Sequence, residues 1–135
     1  MILVDTSVWI DYFKGIETQE TNLLDTALKN DSVAIGDLIL LEILQGFRSD
    51  KDYATAKEHL QVLPQFSMLS PEIAINAAEN YRVLRKRGIT IRKTADVIIA
   101  TFCMNKSIPL LFSDKDFIPF TKHLKLQSVS TETRV

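Results

Sequence analysis

The chain has 135 residues, 46% of them apolar and 24% charged, with 16 basic and 17 acidic side chains that leave a net charge of −1. That length predicts one domain over 1–135, long enough to bury roughly two-thirds of the surface that the unfolded chain exposes. The balanced charge announces no nucleic-acid partner, a lone cysteine excludes an internal disulfide, two histidines and that cysteine cannot build a zinc-type cluster, and no apolar run approaches the ~18 residues of a membrane span.

In chain order, Ile2-Leu3-Val4 reads as a short buried strand, cut off by Asp5 and too short for a signal-peptide core. Asp5, Thr6 and Ser7 offer helix-capping side chains, and Val8 to Phe13 predicts a brief helix stopped near Gly15. Leu23, Leu24, Ala27 and Leu28 keep helical spacing, Asn30-Asp31-Ser32 is a turn, and Ser32 to Ile35 is a second strand. Asp37 is the expected N-cap of a helix from Leu38 to Phe47, on which Glu42 is the lone acid among Leu38, Leu41, Ile43 and Leu44. Tyr53, Ala56, Leu60 and Leu63 predict a further amphipathic helix, and Gln65 to Leu69 a strand or a loop. Ser70-Pro71-Glu72 opens a helix that keeps Ile73, Ala74, Ala77, Tyr81 and Leu84 on one face until Gly88. Thr94-Ala95-Asp96 starts an apolar helix to about Asn105, in which Cys103 reads as a small core residue that suits a reducing cytoplasm. Ile108 to Phe112 is another strand, delivering Ser113-Asp114-Lys115-Asp116 at its carboxyl end, and Ser128 to Val135 is a polar tail. This alternation predicts a three-layer α/β/α sandwich around a central, mostly parallel sheet.

A parallel sheet delivers residues distant in sequence to one edge, where such folds bind ligands. Asp5, Glu42, Asp96 and Asp114 each follow or flank an apolar run. Two carboxylates about 5 Å apart at an effective dielectric near 20 repel by roughly 3 kcal/mol, so several together require a cation. With oxygen ligands only, that cation belongs to the Mg2+ or Mn2+ class. Each acid also has an ordinary role open to it: Asp5 as a cap, Glu42 on a solvated face, Asp96 complementing a helix dipole, Asp114 and Asp116 as turn formers. It is their coincidence at one cleft that favours the metal site.

Four segments in order, Asp5-Thr6-Ser7-Val8-Trp9-Ile10-Asp11, Leu41-Glu42-Ile43-Leu44-Gln45-Gly46, Asp96-Val97-Ile98-Ile99-Ala100 and Ser113-Asp114-Lys115-Asp116-Phe117, resemble the PIN-domain ribonucleases, and within them the VapC toxins of type II toxin-antitoxin modules. The resemblance covers Ile2 to Phe120. It implies an endoribonuclease with Asp5, Glu42, Asp96 and Asp114 as the acids that hold Mg2+ or Mn2+. Asp116 would bind a second metal or a water, or cap the following turn, and Ser7 would hydrogen-bond an acidic ligand. Phe112 stands where many relatives carry a polar residue. The partners implied are RNA (tRNA or another structured RNA), a VapB-like antitoxin and a second copy of the chain, all in the cytoplasm.

Between Arg82 and Lys93 six cations occur without one acid, including Arg87, Arg92 and Lys93. They either bind an RNA backbone or lie solvated at a helix end, and Arg92 and Lys93 are the nearest in sequence to Asp96. Trp9, Tyr12 and Phe13 read as core or partner-contact residues. Two rivals remain: a PIN-like module without catalysis that binds RNA or protein, and a phosphotransfer domain using Asp5 as nucleophile. The latter lacks the paired acids such domains carry after their first strand.

Overall fold

Short apolar runs stay buried only when other strands cover their edges and helices cover their faces, and this chain meets both needs with parallel pairing. A computed structural model describes residues 1–129. The strands are β1 (Ile2–Val4), β2 (Val33–Gly36), β3 (Gln65–Phe66) and β4 (Leu110–Leu111), in the spatial order β3-β2-β1-β4 with every pair parallel. The helices are α1 (Thr6–Phe13), α2 (Gln19–Lys29), α3 (Asp37–Gln45), α4 (Asp50–Gln61), α5 (Pro71–Lys86), α6 (Thr94–Lys106) and α7 (Ile118–His123), with a 3-10 turn at Lys115–Phe117. This is the expected parallel sheet flanked by helices. No helix among the described residues is long and apolar enough to cross a membrane.

Leu3, Val4, Val33, Ala34, Ile35, Leu110 and Leu111 are all buried. α6 covers the sheet with Val97, Ile99, Ala100, Phe102 and Cys103, all buried too. Burial pushes the Cys103 thiol up to about 12, with a smaller push from Asp5, so it stays protonated and serves as core. Trp9 is buried against Phe13 at 5.8 Å between ring centroids.

Several boundaries differ from the sequence reading. α1 starts at Thr6 because Asp5 is the N-cap, two residues ahead of the expected Val8. Asp37 does not cap α3; Gly36 is the N-cap residue, and Asp37 sits inside the helix, accepting from Leu38 N at 2.8 Å and Met68 N at 3.1 Å. α3 ends at Gln45 rather than Phe47, and β4 is two residues long rather than five. The segment left open at Gln65–Leu69 forms only the short edge strand β3. Ser128, expected in a polar tail, bridges to Leu110 instead, with Leu110 N–H donating to Gln127 O at 2.9 Å. The pairing uses backbone groups, so polar side chains do not oppose it. The rest of the predicted tail, 130–135, lies outside the described residues.

Candidate functional site

In the strand order β3-β2-β1-β4 the chain moves outward from β1 to β2 and β3, then returns to lay β4 on the other side of β1. The carboxyl ends of β1 and β4 therefore frame the reversal point at which open α/β sheets form a crevice. Asp5 follows β1, and Asp114 follows β4 within three residues. Asp5 N–H donates to Leu111 O at 2.9 Å, so the ladder itself registers the two acid-bearing ends. α3, leaving β2, brings Glu42, and the first turn of α6 brings Asp96.

Asp5 and Asp96 are each only 4% exposed. Asp5 is both a helix cap and a member of the cleft. Its Oδ2 accepts from Ser7 Oγ at 2.7 Å and from Ser7 N at 3.4 Å. Burial raises the Asp5 carboxyl above its ordinary range, the Ser7 hydroxyl and the Thr6 and Ser7 N–H groups oppose that rise, and Asp114 adds repulsion. Asp96 is pushed up to about 7, first by burial, then by Asp5, with further repulsion from Asp114 and Glu42 and partial relief from Lys93. Asp96 thus feels the charge of the other three acids.

Glu42 is half-buried rather than solvated, and Thr6 Oγ1 donates to its Oε1 at 2.8 Å. Asp114 caps the 3-10 turn by accepting from Asp116 N at 2.9 Å, and α7, which follows Asp116, has no side-chain cap. Asp116 lies with Asp96 and Asp114: each offers a carboxylate oxygen, all within 4.8 Å of one another. Asp5 and Glu42 stand outside that tightest triad.

Two cations reach the cluster, Lys93 Nζ at 4.0 Å from Asp114 Oδ2 and Arg92 at 3.8 Å from Asp116 Oδ2. Both are exposed, and at those distances they compensate charge without locking the acids. Arg87 is exposed at the C-cap of α5 and makes no ion pair with the acids among the described residues. Two residues escaped the sequence reading. Thr6 was expected only as a cap, and Ser113 had no role, yet its Oγ lies 3.1 Å from Ser7 Oγ. The polar residue absent at Phe112 has a neighbour in Ser113, while Phe112 packs on Phe117 at 5.4 Å between ring centroids.

A divalent cation fits this arrangement. Asp96 Oδ2 is buried and has no hydrogen-bond partner. A buried carboxylate oxygen without a partner costs free energy that a bound cation would recover. The surrounding donors are oxygens, the set that Mg2+ and Mn2+ prefer. An apolar groove of about 780 Å³ between α1, α3 and α4, lined by Ile10, Phe13, Ile43 and Phe47, contains none of these acids.

Comparison with known proteins agrees with this architecture. The family model described as PIN domain matches residues 2–122. Ribonuclease VapC1 of Methanocaldococcus jannaschii is 30% identical over 126 residues, 93% of this chain and 85% of that protein. Ribonuclease VapC11 of Mycobacterium tuberculosis is 28% identical over 132 residues, 96% of this chain and 98% of that protein. Among solved structures, VapBC2 from Rickettsia felis, bound to a DNA fragment from its promoter, includes a chain that matches with a TM-score of 0.74 at 18% identity, covering 96% of this chain and all of that one. At that identity the likeness concerns the fold.

Proposed function

The chain belongs to the PIN-domain family, and on that premise we propose that it is the toxin of a type II toxin-antitoxin module, an endoribonuclease that hydrolyses RNA phosphodiester bonds with Mg2+ or Mn2+ and is silenced by a VapB-like antitoxin. The observation that carries this reading is Asp96: a buried carboxyl with one oxygen unpartnered, pressed upon by Asp5, Asp114 and Glu42. The relatives named as VapC ribonucleases support the activity, and the VapBC structures of the same fold support the partner.

Asp5, Glu42, Asp96 and Asp114 would hold the cation, with Asp5 and Asp96 as its core ligands. When bound, such an ion would supply an acidified water for in-line attack on phosphorus and would offset charge building on the phosphoryl oxygens. The chain's own groups do the rest. Ser7 fixes the Asp5 carboxylate, and Thr6 fixes that of Glu42. Glu42 and Asp114 would orient water or hold a second ion, and Asp116, gathered with Asp96 and Asp114, would assist there.

Arg92 and Lys93, exposed and only loosely paired to Asp116 and Asp114, can exchange those carboxylates for an RNA phosphate. Arg87 extends the same basic strip. By resemblance to the PIN-domain nucleases, the attacking water displaces the 3′-oxygen of the scissile bond, so the products carry a 5′-phosphate and a 3′-hydroxyl. In the cell the protein acts in the cytoplasm as a homodimer that becomes heteromeric with its antitoxin.

The test is RNA cleavage by purified protein in chelator, Mg2+ and Mn2+, beside Asp5→Asn and Asp96→Asn. Cleavage should require the cation and vanish in both variants. Wild-type protein that binds RNA but cuts none with either ion would instead identify a binding module without catalysis.

A further inference from the structure

Ser113 has no part in the reading above, and its position gives it one. We propose that Ser113 is a positioning residue: through Ser7 it ties the loop carrying Asp114 and Asp116 to the end of β1 carrying Asp5, and so sets the spacing of acids contributed by two strands. The inference rests on the cation-site reading and deepens it.

Proton counting fixes the direction of the tie. Ser7 Oγ lies 2.7 Å from Asp5 Oδ2 and 3.1 Å from Ser113 Oγ. Asp5 Oδ2 is an acceptor, since it also receives Ser7 N–H at 3.4 Å. A serine hydroxyl has one proton to give, and that of Ser7 is committed to Asp5. Ser113 must therefore donate to Ser7, giving a chain that runs from Ser113 through Ser7 to the carboxylate. Ser113 is exposed, so the tie acts by geometry, holding the Ser7 hydroxyl that the Asp5 carboxylate receives.

The tie has something to oppose. The last backbone rung between β1 and β4 is Asp5 N–H to Leu111 O. Beyond it, the Ser7–Ser113 contact is the one hydrogen bond, among the described residues, that joins the 112–116 loop to the β1–α1 junction. Asp114 repels Asp5 across this gap. Without the hydroxyl, that repulsion favours a wider separation of the two acids.

The test is Mn2+ titration calorimetry on wild type, Ser113→Ala, Ser113→Thr, Ser7→Ala and the Ser7→Ala/Ser113→Ala double variant, with melting temperatures in chelator. Losing one such hydrogen bond should weaken Mn2+ binding in Ser113→Ala by about three- to tenfold. Ser113→Thr, which keeps the hydroxyl, should retain the affinity, and the chelator melting temperature should not fall. On the Ser7→Ala background, removing Ser113 should cost nothing further. Wild-type affinity in Ser113→Ala, or an equal loss on both backgrounds, would overturn the inference while leaving the cation site standing. A wild type that takes up no Mn2+ removes both.

Discussion

At Asp96 burial and three like charges combine to raise the folded carboxyl from 3.8 to about 7. Between those values the folded chain holds a proton that the unfolded chain has released, so the contribution of Asp96 to metal-free stability is greatest at low pH and declines as pH rises towards 7. The decline assigned to Asp96 is on the order of a few kcal/mol. Asp96→Asn cannot ionise; melts in chelator between pH 4 and 8 should show a flatter profile and a higher melting temperature at pH 8 than wild type. An unchanged slope in the variant would contradict this account of Asp96. A cation must displace that proton, so Mn2+ affinity should strengthen with pH up to about 7.

Thr6 acts at the same scale through Glu42, to which it donates at 2.8 Å. Thr6→Val keeps the shape and removes the donor. Cleavage should fall by about tenfold, as for other groups that orient a ligand, with little change in melting temperature. The acids were legible because an acid in an apolar run is costly unless used. Thr6 and Ser113 were not, since hydroxyls in turns carry the same local signature whether they cap a helix or reach partners 36 and 106 residues away.

Among the elements, the junction of β2 with α3 does most to place Glu42. A Cβ on Gly36 would fall on the side chain of Met68, which is fully buried, so the sheet approaches this loop as closely as a glycine permits. Gly36→Ala should destabilise the fold by about 1–3 kcal/mol through overpacking. Denaturant unfolding would measure it, and Gly36→Ala/Met68→Ala should show less than additive loss; simple additivity would mean that Met68 is not the obstacle. The sequence reading placed the cap of this helix on Asp37 rather than Gly36. An aspartate beside a glycine at a helix start reads as a cap, and only the tertiary contact to Met68 N shows where its carboxylate is spent. Likewise β3, with two residues at a sheet edge, has too few positions for any periodic pattern to declare it.

Across the whole molecule, a parallel sheet flanked by helices was readable from strand-helix alternation, and its order β3-β2-β1-β4 sets the ends carrying Asp5 and Asp114 side by side, both acting on Asp96. The participation of Ser128 in the sheet was not, because backbone pairing leaves no mark in side-chain hydropathy. By binding the folded chain and not the unfolded one, Mg2+ or Mn2+ at 100 times the wild-type dissociation constant should stabilise wild type by about 2.7 kcal/mol. Asp5→Asn should reduce that response, and an identical response would argue against the shared site. The most direct measurement is anomalous diffraction from crystals soaked in Mn2+. The account predicts a peak within coordination distance of Asp96 Oδ2 and an Asp5 carboxylate oxygen; full Mn2+ occupancy elsewhere, with Asp96 left unliganded, would contradict it.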